Sequence, residues 1–563
     1  MLQMKPVFRE SQSTQYHREF YTTDEKVMQR CSRDTVRSVS DYIKISSIEH
    51  NIDSNDYLGN ITYKAFGELK TLTVPRSTYL QRRRLLDLQN QGLDVTEENA
   101  TLLVKYFKEE EECLVGAIRA THNTLGFSTH NGKLIFKHYN AIGIESTYSG
   151  PYDVRPRGSD KDYLKMIKEE VLGNPLMEFI LVSGLSSVIL AYLSDEYSLD
   201  SLIIHIASDS TTGKSTALKL AASLWSVTDV KADSLFSSYN GTNQALINKI
   251  CGFSGIPYCL DEISMSSMQN FTSFIYTLVN GVEKERLTKD SKLMEKKSWL
   301  VTLLSNGERS LVGLASKNKC IAARVFEIKN VTFTRDAENA ENIQRAIQKN
   351  YGLLGPKYAE YIMTLKKEDI CKRFEEVREN FSALVKTTQA TDELFERRTL
   401  KFAVLLLTAE YFEKFSRFTL NKDAITELLM SIEAESTGTR NNHANAMDYI
   451  KDYITINAAA FGLGGNGHNL NYGTVTPKRD YTEVVVYKPS FNEMLRKGNY
   501  EDSSIVLREL KSNGYLDCDA DRYTRSRKNH NGIRQDVYVL KLYNYPIQEV
   551  ITDSPTEGDE KHE

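Results

Sequence analysis

The sequence predicts a multidomain α/β protein: a mixed α/β domain, a core built on a parallel sheet, and a small C-terminal domain of helices and strands. Three observations support this prediction. At 563 residues the chain is too long for one ordinary hydrophobic core. Strand-like apolar runs alternate with helix-like segments between about residues 160 and 335, which is typical of a parallel sheet. Near the C-terminus the order becomes helix, helix, strand, basic loop and strand.

Changes in composition and periodicity divide the chain into six segments. We expect an N-terminal arm at 1–40, a mixed α/β domain at 41–155, the parallel-sheet core at 160–335, a helical region at 336–450, the small C-terminal domain at 451–550 and an acidic disordered tail at 551–563.

The composition is that of a globular protein, with 40% hydrophobic and 26% charged residues. A net charge of −4 argues against a protein that coats nucleic acid, although local basic patches remain compatible with it. The seven cysteines are scattered, odd in number and contain no CxxC pair. Neither a disulfide framework nor a structural zinc site is therefore expected, and a reducing cytoplasm is the predicted location.

Two features bear on membranes and secretion. The first residues are polar and mixed in charge, so we expect no signal peptide. The run Pro175–Leu193 approaches the length of a membrane span, but it contains Glu178 and three serines between charged flanks of both signs. We interpret it as a buried helix of a domain and predict no membrane partner.

The N-terminal part contains short elements. Alternating segments between residues 41 and 74 predict strands, Ser77–Gly92 predicts one helix, and Glu97–Ala120 predicts a second. A small hairpin is expected within 124–154, and the Gly- and Pro-containing segment 146–158 resembles a linker. The triplet Arg82–Arg84 suits either nucleic-acid contact or a solvated helix face, and we favour the solvated face.

The core begins with a motif for phosphate binding. A buried strand, Leu202–Ile206, precedes a loop of small polar residues and then a helix. Converging N–H groups and the positive end of the helix make such a loop an anion site. Lys214 would reach the β- and γ-phosphates of ATP, and Ser215 would hold Mg²⁺. The residues assigned to the nucleotide are Ser208, Asp209, Ser210, Thr211, Thr212, Gly213, Lys214, Ser215 and Thr216.

One departure and one alternative accompany this motif. Ser208 stands where the motif has its first glycine, and a small polar residue can make that turn. The alternative is a chance Gly-Lys-Ser at the start of a helix. The next motif argues against it: Gly255–Ile263 is an apolar strand that ends in Asp261 and Glu262. We expect Asp261 to hold the metal and Glu262 to orient and deprotonate the attacking water.

Further strands supply two more candidates. The run Trp299–Leu304 predicts a strand that ends in polar residues, among which Asn306 can contact the γ-phosphate or the attacking water. Arg324 precedes another apolar run and suits a neighbouring subunit's γ-phosphate, although alone it suggests a surface salt bridge. In the largely helical region after residue 340, Phe395–Phe412 predicts a lid helix whose Arg398 reaches phosphate from its first turn.

The C-terminal order of elements predicts a winged helix. Residues 459–473 form a Gly- and Asn-rich loop, and helices and strands follow. The predicted wing is basic and interleaved with Tyr, Ser and Asn, which suits contacts with the phosphates of a DNA duplex. A solvated hairpin tip or a protein-contact domain is the alternative. The DNA-contact candidates are Arg522, Arg525, Arg527 and Lys528.

Together these motifs resemble the prophage and mobile-element helicase-like AAA+ ATPases. Within that group the sequence is most similar to the minichromosome-maintenance-like (MCM-like) replicative helicases of staphylococcal chromosome cassettes and pathogenicity islands. The likeness rests on Ser208–Thr216, Pro257–Ile263, the charged stretch Arg286–Lys297, Ser305–Glu308 and Ala323–Phe326. It is strongest over residues 160 to 410. Unlike many cellular relatives, the N-terminal part has no zinc-binding cysteines, which leaves its role in DNA binding open.

The resemblance implies a bacterial, ring-forming ATPase, usually hexameric, with each ATP and Mg²⁺ bound at a subunit interface. It assigns Asn306 to the first sensor, Arg324 to the arginine finger that acts in trans, and Arg398 to the second sensor. The stretch Arg286–Lys297 matches the family's pore hairpin, where Lys289 and Lys292 are the candidates for contact with single-stranded DNA.

Three functions follow as hypotheses. The first is an ATP-dependent DNA helicase that initiates or drives replication of a mobile genetic element, with help from other replication proteins of the element or host. The second is an ATP-gated DNA-binding initiator or loader that hydrolyses ATP without unwinding. The third is a small-molecule P-loop kinase, which explains neither Arg324 nor the basic C-terminal domain.

Overall fold

The computed structural model describes residues 18–543 and residue 545, with gaps at 33, 230, 269–270, 284–295, 316–320, 322, 439–441, 463–471, 499, 501–502, 520 and 529–533. The side chains of 437–445 and 505 are likewise outside the description. The chain divides into two compact units, Met1–Pro151 and Tyr152–Glu563. The division falls within the linker-like segment 146–158.

The first unit is rich in antiparallel strands. Its elements are β1 (Phe20–Thr22), β2 (Lys26–Arg30), β3 (Val36–Asp41), β4 (Ile43–Asn51), β5 (Asp56–Ala65), β6 (Glu68–Pro75), α1 (Arg76–Tyr79), α2 (Arg82–Leu86), α3 (Ala100–Leu114), β7 (Arg119–His122), β8 (Leu125–His130), β9 (Lys133–Lys137) and β10 (Thr147–Tyr148). Strands β1, β2 and β3 form one sheet, and a second sheet has the order β10-β7-β4-β5-β6. Strands β8 and β9 form the predicted hairpin.

Residues 20–41 correct the prediction of an N-terminal arm. They form the β1-β2-β3 sheet, and Phe20, Val27 and Val39 lie in the hydrophobic core of the unit. Each of these strands buries few apolar side chains against a largely exposed polar face. The polar composition therefore concealed strands that tertiary packing stabilises.

The helix predicted at Ser77–Gly92 is broken. Gln81 is extended, with φ −118° and ψ 118°, and separates α1 from α2; a 3-10 turn, Asp87–Gln91, follows. Tyr79 and Leu85 are both fully buried. In one continuous helix these positions would lie about 240° apart around the axis. The break allows both side chains to face the core.

The second unit contains the predicted core, the helical region and the C-terminal domain. Its elements are α4 (Asp160–Met166), α5 (Pro175–Tyr192), α6 (Ser194–Tyr197), β11 (Leu202–Ala207), α7 (Lys214–Ser223), β12 (Phe236–Ser238), α8 (Asn243–Ile250), β13 (Phe253–Ser254), β14 (Tyr258–Asp261), α9 (Phe271–Asn280), β15 (Thr302–Gly307), α10 (Leu311–Leu314), β16 (Val325–Lys329), α11 (Ala337–Lys349), α12 (Leu354–Thr364), α13 (Lys367–Thr388), α14 (Phe395–Ser416), α15 (Lys422–Gly438), α16 (Asn442–Ile456), β17 (Gly473–Pro477), β18 (Thr482–Tyr487), α17 (Lys488–Lys497), α18 (Ser503–Ser512), β19 (Arg525–Lys528) and β20 (Arg534–Leu542).

A five-stranded parallel sheet organises this unit, as the sequence predicts. Its order is β12-β14-β15-β11-β16, and each neighbouring pair is parallel. The strand that comes first in the chain, β11, therefore lies between β15 and β16. The carboxyl ends of all five strands meet at one edge, where ligands of such sheets bind.

Helix α5 is the buried helix that the sequence predicts at Pro175–Leu193. Of the described helices it is the one long and apolar enough to cross a membrane, but it packs against the parallel sheet and α7. Gly184 permits the close approach of α7, because a Cβ there would lie 2.8 Å from Leu224 Cδ1 and 3.0 Å from Ala221 Cα. Its apolar surface is therefore covered by protein.

The C-terminal part has its own core. Strands β17, β18, β20 and β19 form an antiparallel sheet in that order, with α17 and α18 in the predicted sequence order. Helix α16 packs into the same core through Ala446, Met447, Ile450 and Ile454. This packing places the start of the domain near residue 442, earlier than the predicted boundary at 451.

Candidate nucleotide site

The loop between β11 and α7 has the backbone geometry of the predicted phosphate-binding motif. Gly213 has φ 81°, and a Cβ at this position would lie 2.6 Å from Thr334 Oγ1. Both the backbone conformation and the space therefore require glycine. The first N–H groups of α7 have no carbonyl partner within the helix, so this end can bind an anion.

Ser208 explains the departure from the usual motif. Its buried hydroxyl donates to Val331 O at 3.0 Å and accepts from Val331 N at 2.8 Å. Farther along, Phe333 N donates to Thr212 O at 2.8 Å, and the Thr212 hydroxyl donates to Asp209 O at 3.0 Å. The serine therefore contributes to fixing the loop against the segment that follows β16.

Lys214 lies within the loop that it would serve. Its buried ammonium group donates to the carbonyl oxygens of Ser208 and Asp209, the second at 2.5 Å. Thr216 points elsewhere, since its buried hydroxyl accepts from Gln344 Nε2 of α11 at 2.7 Å. Of the assigned loop residues, Thr211 also has a left-handed φ of 67°.

Ser215, Asp261, Asn306 and Glu262 form a connected group at the carboxyl edge of the sheet. Ser215 Oγ donates to Asp261 Oδ1 at 2.9 Å, and Asn306 Nδ2 donates to the same oxygen at 2.7 Å. Asn306 Oδ1 in turn accepts from Glu262 N at 2.7 Å. The structure thus brings together the motif residues that follow β11, β14 and β15. Asn306 lies inside β15, which extends three residues beyond the predicted end at Leu304.

The donor set fits Mg²⁺. A serine hydroxyl and a carboxylate are hard oxygen ligands, and Mg²⁺ commonly takes only one or two such ligands from protein, with water and substrate phosphates completing the shell. Within the described residues there is no group of three or more His, Cys, Asp or Glu side chains that could hold a metal. This agrees with a site that binds the ion together with a nucleotide.

Glu262 has an unusual backbone conformation. Its φ is 61°, in the left-handed region, and its carboxylate accepts from the Ser264 N–H at 3.3 Å and from the Ser264 hydroxyl. A non-glycine residue in this region is uncommon and concentrates at functional sites. The conformation turns the chain sharply at the end of β14.

Two residues at this edge escaped the sequence analysis. Glu308 accepts a hydrogen bond from the Ser210 hydroxyl, so an exposed carboxylate touches the middle of the loop. His205 on β11 is fully buried; its Nε2–H donates to Arg309 O and its Nδ1 accepts from Ser305 Oγ, each at 2.8 Å. Burial lowers the pKa of His205, so the imidazole is neutral at pH 7. It fixes the strand end that carries Asn306.

Arg324 lies at the opposite edge of the sheet. The next residue, Val325, pairs with Ile203, whereas the loop begins after Ala207. Four residues of strand separate the two ends, about 13 Å. The guanidinium lies 4.6 Å from the centre of the Tyr276 ring on α9, and the residue is 9% exposed. Arg324 is therefore remote from the phosphate loop of its own chain.

Arg398 is engaged elsewhere. The side chain is fully buried and forks onto both carboxylate oxygens of Glu433 on α15, with Asp392 at 3.3 Å. Glu433 is also fully buried. The expectation that Arg398 reaches phosphate from a lid does not agree with this geometry, because an arginine held in a buried ion pair would have to abandon a desolvated carboxylate to do so.

A pair of substitutions tests the structural role of Arg398. Arg398→Met is expected to lower the free energy of unfolding by about 3–5 kcal/mol, because it leaves Glu433 buried without its partner. Arg398→Met with Glu433→Leu should recover most of that loss and keep the ATPase activity. Urea denaturation and ATPase assays measure the two effects. Arg397→Met is the matched control, with a cost below about 1 kcal/mol for a half-exposed ion pair. A stable double variant without ATPase activity would contradict this role.

The charged stretch Arg286–Lys297 is described only at its base. Val282 and Ser298 form an antiparallel bridge, and Glu283 N donates to Lys297 O at 2.9 Å. The two ends of the stretch are thus paired as in a hairpin. Lys289 and Lys292 lie outside the described residues.

The basic residues of the predicted wing carry acidic partners. Arg522 Nε donates to Asp519 at 2.6 Å, and Arg525 pairs with Asp519 and, at 3.0 Å, with Asp517. Arg527 lies 3.7 Å from Glu483. Lys528 is exposed at the end of β19. Phosphate contacts by the first two arginines would therefore compete with these carboxylates. The exposed Arg508 on α18 is a further cation that the sequence analysis did not assign.

Comparison with known proteins gives two family models and one solved structure. A model described as "Cch helix turn helix domain" matches residues 441–544. The structure, described as "SCCmec type IV Cch - active helicase", has 21% sequence identity and a TM-score of 0.72, and it covers 96% of this chain and 100% of its own. At this identity the likeness shows a shared multidomain α/β fold. No curated protein sequence matches. A model described as "Domain of unknown function (DUF927)" matches residues 8–298, more than half of the chain, and the chain therefore belongs to the DUF927 family.

Proposed function

We propose that the chain is an ATP-dependent DNA helicase that initiates or drives replication of a mobile genetic element in the bacterial cytoplasm. In this proposal its core is an AAA+ P-loop ATPase of MCM-like type and its C-terminal domain is a winged helix. One observation carries the proposal: Ser215, Asp261, Asn306 and Glu262 form one connected group beside Lys214 and the start of α7. Motifs that are ambiguous singly thus meet at one edge of the sheet.

The chemistry follows from the contacts. Lys214 exchanges its two carbonyl partners for the β- and γ-phosphate oxygens of ATP, and Ser215 and Asp261 hold Mg²⁺. The ion neutralises charge that develops on the phosphates. Glu262 accepts a proton from the attacking water, and Asn306 positions both acidic residues through its two hydrogen bonds. The loop residues Ser208–Gly213 contribute N–H groups.

A homo-oligomeric ring, probably of six subunits as in the family it resembles, is supported by the position of Arg324. This residue lies about 13 Å from the loop of its own chain along the strand, and the amino edge of the sheet carries no part of the connected group. An arginine in that position can serve a phosphate only on another subunit. A guanidinium stabilises the charge that develops on the transferred phosphoryl group.

DNA would contact two parts of the chain. The C-terminal domain, which matches a helix-turn-helix model, would bind a duplex or origin through α18 and the wing, with Arg508, Arg527 and Lys528 as the cations best placed to meet phosphates. Arg522 and Arg525 remain candidates once released from Asp517 and Asp519. Lys289 and Lys292 of the proposed pore hairpin would contact the single strand. Other replication proteins of the element or host are proposed partners.

A strand-displacement assay tests this function. The wild-type chain is expected to release a fluorescent strand from a forked duplex with ATP but not with a non-hydrolysable analogue, and Lys214→Ala should release none. Lys289→Ala with Lys292→Ala should lose DNA-stimulated ATPase, with Lys349→Ala, an exposed lysine on α11, as the control. Displacement by Lys214→Ala equal to wild type would refute the helicase.

The alternative of an ATP-gated initiator or loader gives a different result in the same assay. Such a protein would bind DNA in an ATP-dependent manner and hydrolyse ATP, and it would leave the forked duplex intact at every protein concentration. Unchanged DNA-stimulated ATPase in the Lys289→Ala, Lys292→Ala variant would favour it as well.

A further inference from the structure

The tip of the β5–β6 hairpin carries a fully exposed aromatic ring. Ala65 pairs with Glu68, so the connection has two residues, Phe66 and Gly67. Their φ angles are 51° and 89°, both left-handed, which is the pattern of a type I′ turn. Phe66 is 98% exposed. A large apolar side chain therefore projects into solvent from a protruding turn.

Folding does not account for phenylalanine at this position. A type I′ turn favours Asn, Asp or Gly at its first central residue, and a bulky side chain with positive φ is strained. The β8–β9 hairpin of the same unit has the same turn: His130 pairs with Lys133, and Asn131 and Gly132 have φ 49° and 75°. There the sequence is Asn-Gly. Strain kept at an exposed position is an indication of function.

The surroundings of Phe66 are basic as well as apolar. Lys70 is exposed on β6, and Leu69 is 69% exposed. The Phe66 ring lies near Gly92, where an added Cβ would be 3.7 Å from Phe66 Cε2. Gly92 ends the 3-10 turn that begins after α2, and this turn is about 10 Å long. The exposed triplet Arg82–Arg84 on α2 thus lies on the same side of the unit as the hairpin tip.

Two members of the triplet have partners within the unit. Arg82 is paired with Glu97, and Arg84 Nη1 donates to Ser77 Oγ at 2.6 Å. Arg83 is exposed between them. The carboxylates nearest the tip are Glu68 in the hairpin itself and Glu25, which pairs with Lys64 at 2.5 Å. Lys70 and Arg83 therefore supply the cations for an anionic ligand.

We propose that Phe66 stacks on an unpaired base of single-stranded DNA while Lys70 and Arg83 lie next to its phosphates. The inference rests on the proposed function and adds to it a DNA site in the first unit. An exposed ring flanked by cations is the combination that binds single strands without regard to sequence, because every base has a face on which an aromatic ring can stack.

Two substitutions in the full-length protein test the proposal. Phe66→Asn suits the turn, so its thermal stability should equal or exceed that of the wild type, while its affinity for a fluorescent oligothymidylate at fixed salt should fall roughly 5- to 100-fold. Phe66→Trp should retain binding, and its fluorescence should be quenched by the oligonucleotide. The chain's two native tryptophans, Trp225 and Trp299, are buried and provide a constant background.

Asn131→Phe is the matched control, because it places a ring on the equivalent turn of the other hairpin and should leave the affinity unchanged. If the wild type binds and unwinds DNA and Phe66→Asn binds equally well, the inference about Phe66 fails while the helicase stands. If Phe66→Asn loses self-association in sedimentation velocity but not DNA affinity, Phe66 contacts a second copy and the inference also fails. If the wild type neither binds single strands nor unwinds, both proposals fail.

Discussion

Glu262→Gln is expected to bind ATP as tightly as the wild type and to hydrolyse it about 10²–10⁴-fold more slowly. Glutamine keeps the size of the side chain and can still contact Ser264, so the turn with φ 61° should persist. What it loses is the capacity to take a proton from water. Single-turnover hydrolysis and binding of a fluorescent ATP analogue separate the two quantities.

Glu308→Gln is the matched control for this prediction. Glu308 is another carboxylate at the same edge, and it accepts a hydrogen bond from Ser210. Its replacement should change ATP affinity more than the hydrolysis rate, since its contact is to the loop. If Glu308→Gln abolished hydrolysis and Glu262→Gln did not, the two roles would have to be exchanged.

Arg324→Ala should reduce ATP hydrolysis of the assembled protein by about 10³–10⁵-fold, the range for loss of an arginine that stabilises the transferred phosphoryl group. ATP binding should be much less affected, because Arg324 lies at the amino edge of the sheet of its own chain. Steady-state ATPase and nucleotide binding, measured above the concentration at which the protein assembles, provide the comparison.

Mixing variants distinguishes action in trans from damage to the fold. Arg324→Ala lacks only the arginine and Lys214→Ala lacks only the lysine, so a mixed ring contains some interfaces with both residues. Activity should therefore reappear on mixing and reach a maximum at intermediate ratios. Arg345→Ala, a helix-surface arginine paired with Glu341, is the control and should remain active alone. A mixture that stays inactive at every ratio would contradict the trans role.

The sequence was sufficient for the parts of the site that follow a strand. The loop at Ser208–Gly213, Asp261, Glu262 and Asn306 each come at the end of a strand, and parallel strands in one sheet bring such ends to one edge. Local pattern and one topological rule thus predict a cluster whose members are separated by up to a hundred residues. Their exact contacts, such as Asn306 with both acidic residues, depend on side-chain packing.

Other features depended on partners distant in the chain. Glu433, thirty-five residues after Arg398, fixes that arginine in the interior, and no local pattern announces the pairing. The strands β1–β3 form because Phe20 and Val27 find a core built by later residues. In the C-terminal domain, by contrast, Asp517 and Asp519 lie within eight residues of Arg525. Counting the neighbouring acids along with the cations would have revealed that part of the positive charge is already neutralised.

The bond between Ser208 and Val331 gives β16 a role beyond closing the sheet. The strand begins directly after Arg324, and two residues beyond its end Val331 is joined to the phosphate loop through Ser208. Backbone pairing of β16 with β11 holds its length. If the ring is correct, the part of a subunit that grips one nucleotide and the part offered to the next nucleotide are the two ends of a single short piece of backbone. Communication around the ring then requires no relay of side chains, only a small shift of this strand along its axis.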